Sequence, residues 1–180
     1  PPNIEEIGKA IDQLNNGTAA GTDIIIPELY KWGGTELCRK ICGCFSNIWT
    51  GSEAFPVTWS EARVIILYKG KGSRQELNNY RGIFLLEVGG KILARVIVNR
   101  FPPILENSIS DCQFGFRSNR GTSHAISILR KLQEDARYGD KDIFVIFIDL
   151  EKAFDSVPRK ILWAALEKIR IDGRILEIIR

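Results

Sequence analysis

An apolar run that ends on an acidic residue constrains this chain more than any other feature of its sequence. Six consecutive apolar residues, 143–148, precede Asp149. A run this short and this apolar predicts a β-strand that is buried on both faces. Because an uncompensated charge beside a core is costly, a carboxylate at the end of such a strand indicates the edge of a site. Asp149 would equally fit the solvated end of a strand, with Asp155 capping a following helix. Ser156 and Pro158 predict where that helix starts.

Composition places the chain among ordinary globular proteins. Its 180 residues suffice for one domain with a real core, and the hydrophobic and charged fractions, 44% and 26%, are typical of that class. No stretch reaches the length of a membrane span, and the first residues lack the pattern of a signal peptide. We therefore expect an intracellular protein, with the choice between nucleus and cytoplasm left open.

The four cysteines predict neither a metal site nor a disulfide. Cys38, Cys42 and Cys44 lie close together, Cys112 stands apart, and the single histidine, His124, is far along the chain. A structural zinc site requires four ligands in paired spacing. Cys38 and Cys42 are one helical turn apart among apolar residues, which indicates core thiols.

Charge is distributed unevenly, although the net charge is only +3. Residues 1–60 carry four basic and seven acidic side chains, whereas residues 61–101 carry eight basic and three acidic ones. A local basic excess suits a polyanionic partner. A solvated, lysine-rich hairpin would show the same excess.

Two β-rich segments, 63–68 and 81–86, flank a polar connection and predict an antiparallel hairpin with a mobile tip. The connection carries three basic residues and two glycines: Lys69, Lys71, Arg74, Gly70 and Gly72. Glycines allow backbone N–H groups to approach an anion closely. The hairpin therefore fits a clamp on a nucleotide triphosphate or a nucleic-acid backbone, and it fits a soluble charged tip equally well.

Apolar periodicity and helix-breaking residues predict helices elsewhere in the chain. The predicted helices cover residues 4–14, 27–32, 35–49, 91–101 and 122–137. In the last of them, Ala125, Ile128, Leu129 and Leu132 are expected to face inward.

The residues around Asp149 carry a family resemblance. The string Phe147-Ile-Asp-Leu-Glu-Lys-Ala-Phe-Asp-Ser-Val157 closely resembles the first catalytic-aspartate motif of reverse transcriptases from non-LTR (LINE-type) retrotransposons, to which group II intron enzymes are related. Further blocks, 59–69, 78–86 and 90–101, are similar to the fingers of these enzymes and occur in the same order. The loop 20–23 and the block 113–117 also resemble family elements.

The resemblance implies an α+β fold: the fingers and part of the palm of a right-hand polymerase, helix-rich with a β-hairpin and one buried palm strand. It assigns residues 1–60 to an N-terminal helical extension, 61–140 to the fingers and 141–180 to the first part of the palm. That part would contain the catalytic-aspartate strand and the helix after it.

The resemblance also implies roles for residues in the fingers. Lys69 and Arg81 would contact the incoming triphosphate. Tyr68 stands where the family usually has proline, so Lys71 competes with Lys69 for this role. Template-binding residues would be Gln113, Phe114, Gly115 and Arg117. His124 falls at a variable position and is interpreted as a surface or helix-start histidine without a role.

In the palm, the resemblance makes Asp149 the catalytic carboxylate. It would bridge two Mg²⁺ ions, with Mn²⁺ as a possible substitute, and the carbonyl of Leu150 would bind one metal beside the dNTP. Phe154 would exclude a ribose 2′-OH and so favour deoxynucleotides. Glu151 and Asp155 would be turn or structural residues.

The implied function is an RNA-directed DNA polymerase that adds dNTPs to a primer 3′-OH on an RNA template. No Asp-Asp pair occurs in the sequence, and one aspartate cannot hold two metals, so this chain alone is expected to be inactive. A non-catalytic nucleic-acid or dNTP-binding remnant is the alternative, and an inert relic is a third. The palm strand, without its neighbours, is expected to expose an apolar edge that promotes self-association.

Overall fold

The computed structural model describes residues 1–180, except for the side chain of Asn107. The chain divides into two compact units, Pro1–Arg100 and Phe101–Arg180. The first unit contains helices and a two-stranded sheet, which agrees with the predicted α+β class. Its elements are α1 (Ile4–Asp12), α2 (Pro27–Trp32), α3 (Gly34–Thr50), β1 (Arg63–Tyr68), β2 (Tyr80–Leu85) and α4 (Val88–Arg100), with short 3-10 helices at Val57–Ser60 and Leu77–Asn79.

The core of the first unit lies where α1 packs against α3 and α4. Each helix contributes the apolar stripe that its periodicity predicts. The buried side chains are Ile7, Ala10 and Ile11 from α1, Ile41, Phe45, Ile48 and Trp49 from α3, and Val88, Ile92, Leu93, Val96 and Ile97 from α4. Helix α4 begins three residues earlier than predicted, because the carbonyl of Glu87 accepts the Lys91 N–H at 3.1 Å and starts the helical hydrogen bonding.

Polar contacts hold the ends of α1 and α4 together. The Asn3 side chain accepts the Glu6 N–H at 2.8 Å, and the Glu6 carboxylate accepts the Asn3 N–H at 2.9 Å, forming a capping box. Arg100, at the end of α4, donates two hydrogen bonds of 2.7 Å to the same carboxylate. Its guanidinium also lies 4.9 Å from the centre of the Trp49 ring.

This arrangement predicts a loss of stability at acidic pH. Hydrogen bonds from Arg100, followed by the one from the Asn3 N–H, lower the pKa of Glu6 below its ordinary value of 4.5, against an opposing effect of burial. A carboxyl whose pKa is lower in the folded state stabilises the fold above its unfolded pKa, and this stabilisation is lost as pH falls through the folded pKa. The free energy of unfolding should therefore drop below about pH 4.5. Urea titrations at several pH values should show a smaller drop in Glu6→Gln, and an identical drop in both proteins would contradict this role.

β1 and β2 form an antiparallel hairpin in which Arg63 lies opposite Leu85 and Tyr68 lies opposite Tyr80. The prediction of both strands is confirmed within one residue. Both faces are largely exposed: the side chains of Ile66 and Phe84, which belong to one face, are 66% and 61% exposed, and those of Leu67 and Ile65 on the other are 54% and 43% exposed. The hairpin thus offers two open faces to solvent.

The second unit consists of short helices and one long helix. Its elements are α5 (Pro102–Leu105), a 3-10 helix at Glu106–Ser108, α6 (Thr122–Tyr138), α7 (Arg159–Lys168) and α8 (Gly173–Ile179). Its buried apolar residues, among those described, are Ile171, Ile175 and Leu176. Helix α6 forms as predicted, but its inward face does not: Ile128 and Leu132 are 50% and 54% exposed.

The predicted buried palm strand is wrong for this structure. Residues 143–148 belong to no helix or strand, and Phe144, Ile146 and Ile148 are all more than 80% exposed. A strand requires a neighbour for its backbone hydrogen bonds, and among the described residues β1 and β2 pair only with each other. Because no strand forms here, the structure gives no support to self-association through a strand edge.

Helix α7 begins at Arg159, with Pro158 in the cap position and no side-chain cap. The Ser156 hydroxyl, predicted as the cap, instead donates to the Lys152 carbonyl at 2.9 Å and closes the preceding turn. Among the described residues, no helix is both long enough and apolar enough to cross a lipid bilayer.

Candidate functional site

The hairpin register brings the two predicted triphosphate contacts to one face. Arg81 lies directly opposite Leu67. The Lys69 N–H donates to the Asn79 carbonyl at 2.8 Å, so the ladder continues one residue beyond β1. Side chains alternate along a strand, and residues directly opposite share a face. Lys69 therefore lies on the same face as Arg81, as its diagonal neighbour. Long side chains at diagonal positions are close enough to contact a common ligand.

The tip of the hairpin is tied together by hydrogen bonds, whereas the sequence predicts a mobile tip. The Tyr68 hydroxyl donates to the Gly72 carbonyl at 2.5 Å, and the Tyr80 hydroxyl donates to the Arg74 carbonyl at 2.8 Å. The Arg74 guanidinium lies 5.3 Å from the centre of the Tyr68 ring. The two tyrosines face each other across the strand ends, with ring centres 5.4 Å apart. Tyrosines thus brace the face opposite to Lys69 and Arg81.

Gly72 is required for this tip geometry. Its φ of +82° lies in the left-handed region, and a Cβ there would come within 2.5 Å of the Asn79 amide nitrogen. The same Asn79 amide donates to the Ser73 carbonyl at 2.7 Å. The Lys69 ammonium donates to the Asn78 carbonyl at 2.8 Å, which fixes its position and leaves two of its three protons for a ligand.

The charges on this face are available to an anion. Lys69 and Arg81 are both exposed. Among the described residues, no carboxylate forms a salt bridge with either side chain. Two neighbouring cations without a carboxylate partner attract an oxyanion, and a guanidinium can bind two of its oxygens at once.

In the block 113–117, the Arg117 side chain is buried within the loop. The side chain of Arg117 is only 4% exposed and forms an ion pair with Glu106. It also donates to the carbonyls of Ser110 at 2.9 Å and Gln113 at 3.5 Å. Its Nε has no hydrogen-bond partner although it is buried. Arg117, predicted as a template contact, thus lies inside the loop and holds its shape.

Gln113, Phe114 and Gly115 are exposed or half-buried, and Arg120 and an open cavity lie beside Phe114. The Arg120 guanidinium lies 5.8 Å from the centre of the Phe114 ring and donates to the Asp111 carbonyl at 2.7 Å. The Gln113 amide donates to the Gly115 carbonyl at 3.3 Å. An open cavity of about 360 Å³ is lined by Phe114, Arg120 and His124, together with Asn119, Ser127 and Ile128.

His124 has a local role that the sequence does not predict. Its Nδ1 accepts the Gly121 N–H at 3.1 Å, next to the first turn of α6. An accepting Nδ1 carries no proton, so the neutral ring is protonated on Nε2. The side chain therefore caps the start of the helix and retains one N–H donor.

The predicted palm residues are exposed. Asp149 lies at the end of the irregular stretch, Leu150 is 73% exposed and Phe154 is 84% exposed. The Phe154 ring meets that of Phe116 edge to face, with centres 6.4 Å apart. Phe116 is 96% exposed and has a φ of +60°, a conformation that is strained for an aromatic residue and often marks functional sites. Sequence reasoning missed Phe116, because a pattern of residue types carries no sign of a left-handed backbone.

The residues around Asp149 do not by themselves fit a metal centre. Hard divalent ions take six or more oxygen ligands, most of them carboxylates, carbonyls and waters. Within the described part of the chain, no three acidic, histidine or cysteine residues lie close enough together to hold a metal ion. The structure therefore offers Asp149 and the Leu150 carbonyl as isolated donors, and we derive no metal-dependent step from them.

Glu87 is a buried polar residue that the sequence analysis did not single out. It is 6% exposed and accepts hydrogen bonds of 3.0 Å from the hydroxyls of Thr22 and Thr58. A Cβ on Gly21 would come within 2.7 Å of its backbone nitrogen. Glu87 therefore links the loop 20–23 to the segment that joins β2 to α4. In the sequence, the position of Glu87 just before an apolar helix is the one signal that could have pointed to this role.

Comparisons with known proteins show which family this chain is similar to. Residues 69–180 match the family model described as reverse transcriptase (RNA-dependent DNA polymerase). The matched range begins at Lys69 and includes Arg81, the block 113–117 and Asp149. It covers more than half of the chain.

Retrotransposon proteins are similar over most of the chain. A protein named RNA-directed DNA polymerase from mobile element jockey, from Drosophila melanogaster, is 26% identical over 86% of this chain and 17% of its own length. A 115 kDa protein of the type-1 retrotransposable element R1DM, also from Drosophila melanogaster, is 31% identical over 92% of this chain and 16% of its own.

A retrovirus-related Pol polyprotein from the type-1 retrotransposable element R1 of Bradysia coprophila is 26% identical over 87% of this chain and 16% of its own length. The chain thus spans less than a fifth of the length of these three relatives. The resemblance to reverse transcriptases of non-LTR retrotransposons is confirmed, and the chain belongs to the reverse transcriptase (RNA-dependent DNA polymerase) family.

Proposed function

We propose that the hairpin face carrying Lys69 and Arg81 holds the triphosphate of an incoming dNTP. The register that makes these two cations diagonal neighbours on one exposed face is the observation that carries the proposal. A triphosphate spreads several negative oxygens over a short distance, so two adjacent cations can engage it together. The hydrogen-bonded tip supports this role, because a preorganised site loses less entropy on binding.

The block 113–117 would support the template strand. Gln113, Phe114 and Gly115 are the residues that we assign to template contact, and the Phe114 ring beside Arg120 suits stacking against a base. Arg117 would act by positioning this loop from within. Phe154 would stand beside the sugar of the dNTP and exclude a 2′-OH, with Phe116 supporting its ring.

Members of the reverse transcriptase family depend on metal ions. We propose that Asp149 contributes one carboxylate, and Leu150 its carbonyl, to a site for Mg²⁺ that residues of a longer polypeptide complete. In that polypeptide, residues 61–140 would belong to the fingers and 141–180 to the palm, where the run 143–148 would gain a strand to pair with.

The reaction that follows from this assignment is addition of dNTPs to a primer 3′-OH on an RNA template. The jockey relative is named an RNA-directed DNA polymerase, which supports this reaction. Because this chain spans only a small part of that relative, the activity of the whole protein is part of the proposal. We further propose an intracellular site of action, where RNA templates and dNTPs occur together.

Template-directed selection can be measured without catalysis. Fluorescence anisotropy would follow binding of this chain to a labelled DNA primer annealed to an RNA template, with Mg²⁺ and each dNTP in turn. The dNTP complementary to the first unpaired template base should tighten binding by about tenfold, because it adds charge-assisted contacts to the hairpin. Lys69→Ala and Arg81→Ala should abolish this effect.

Lys71→Ala is the matched control, since Lys71 is an exposed lysine of the same hairpin tip. It should retain the dNTP effect. Loss of the effect in Lys71→Ala alone would move the triphosphate contact to that residue. Equal stimulation by all four dNTPs, or none in the parent chain, would contradict template-directed binding.

A further inference from the structure

A second cationic site lies away from the hairpin, in the cleft where the end of α1 meets α4. The cleft has a volume of about 400 Å³. Lys91 and Arg95 project from successive turns of α4, Asn15 and Thr18 come from the loop after α1, and Leu14 and Val98 supply apolar wall. Neither the family resemblance nor the comparisons assign a role to this cleft.

The two cations have no partner among the described residues. No salt bridge or side-chain hydrogen bond there involves Lys91 or Arg95, and no carboxylate lines the cleft. Glu28, which is close in sequence to the cleft residue Pro27, accepts the Gly17 N–H at 2.5 Å. Like charges four residues apart on a helix repel each other, and an anion bound between them would relieve this repulsion.

The end of α1 does not account for the cations either. Cations often lie near helix C-termini because they stabilise the last carbonyls. Here the carbonyls of Lys9 and Ile11 already accept the N–H groups of Gln13 and Leu14, at 3.2 and 3.0 Å. Among the described residues, neither the Lys91 nor the Arg95 side chain donates to a carbonyl of α1, so both are available to a ligand.

We propose that this cleft binds one nucleotide unit of a single-stranded RNA, with Lys91 and Arg95 on its phosphate and Leu14 and Val98 against its ribose or base. The combination of cations with an apolar wall matches a nucleotide, which has one charged and one less polar part. The volume of the cleft suits one such unit. The choice of RNA and its identity as a template rest on the proposed function, whereas the binding of a single strand does not.

The test is binding of a short fluorescein-labelled oligouridine to the full chain, followed by anisotropy at several salt concentrations. The double variant Lys91→Gln/Arg95→Gln should bind at least about tenfold more weakly. The slope of log affinity against log salt should also fall by about 0.7, because the two side chains together neutralise one phosphate, and each phosphate neutralised on a single strand contributes about 0.7. Since the substitutions remove a repulsion, the variant should unfold at the same temperature as the parent or higher.

The matched control is Lys9→Gln/Lys40→Gln, which removes the same charge from two exposed lysines of the same unit that do not line the cleft. It should weaken binding by less than about twofold, as general electrostatics alone would do. Equal weakening by both double variants would overturn the proposal, and so would a parent chain that binds no oligouridine. Uridine monophosphate and unlabelled oligouridine would also be compared as competitors at equal nucleotide concentration. If uridine monophosphate displaced the labelled strand equally well, the assignment to a strand would be overturned.

The outcomes separate this inference from the proposed function. Lys91→Gln/Arg95→Gln should retain the dNTP-dependent tightening that Lys69→Ala and Arg81→Ala lose. Unchanged oligouridine binding in the cleft variant, with an intact dNTP effect in the parent, would overturn the cleft and leave the hairpin assignment standing. The reverse pattern would support the cleft and reject the hairpin assignment.

Discussion

Replacing Arg117 by methionine is expected to loosen the loop around residues 106–117 by about 2–4 kcal/mol. The substitution keeps an unbranched apolar stem but removes the ion pair to Glu106 and the hydrogen bonds to the carbonyls of Ser110 and Gln113. These groups would lose their partner inside the loop. Hydrogen exchange, resolved by mass spectrometry, should show faster exchange of the loop amides.

Arg120→Met is the control, because the Arg120 side chain is 34% exposed and leaves the Arg117 contacts intact. It should change exchange in the loop much less. RNA binding should fall in Arg117→Met together with loop order. If RNA binding fell while exchange stayed as in the parent, Arg117 would contact the template directly and the positioning role would be wrong.

The second large effect is expected at Ile92, which is completely buried in the core of the first unit. Ile92→Ala should lower the free energy of unfolding by about 2–5 kcal/mol, through lost burial and the cavity left behind. Urea unfolding monitored by tryptophan fluorescence would measure it, since Trp49 lies in the same core.

Val98→Ala on the same helix is the matched control. Val98 is 50% exposed, so its truncation should cost less than about 1 kcal/mol. Similar losses in the two variants would mean that α4 is not packed as the structure has it. This packing bears on both proposals, because α4 follows directly from the hairpin and carries Lys91 and Arg95.

Helices and hairpin strands could be predicted from the sequence because local signals determine them. The spacing of Ile7, Ala10 and Ile11 predicts both the helix and its buried face, and Pro27 predicts the first turn of α2. The β-rich runs on either side of a Gly-rich connection predict the hairpin within one residue. For the hairpin, the partner strand also lies nearby in sequence.

The run 143–148 could not be predicted in the same way. Its composition favours a buried strand, but a strand depends on a partner that composition does not supply, and the described residues provide none. The same limit applies to α6, where Ile128 and Leu132 have helical spacing and yet remain exposed. Periodicity identifies a face that is able to pack, and tertiary contacts decide whether it does.

The candidate site was predicted by residue type more than by geometry. Lys69 and Arg81 were identified from the resemblance, but their common face follows from the register. Arg117 was identified as a contact, and only its burial shows that it acts within the loop. Glu87 and Phe116 were missed, because burial of a carboxylate and a left-handed backbone are properties of the fold.

The central claim is that Lys69 and Arg81 bind one triphosphate together. Calorimetric titration of dTTP into the parent, Lys69→Ala, Arg81→Ala and the double variant tests it most directly. Each single variant should bind at least about tenfold more weakly. The two effects should also couple by about 1 kcal/mol or more, as expected of residues that share a ligand. Strictly additive losses would mean that the two cations act separately, and a double variant that binds dTTP as tightly as the parent would contradict the account.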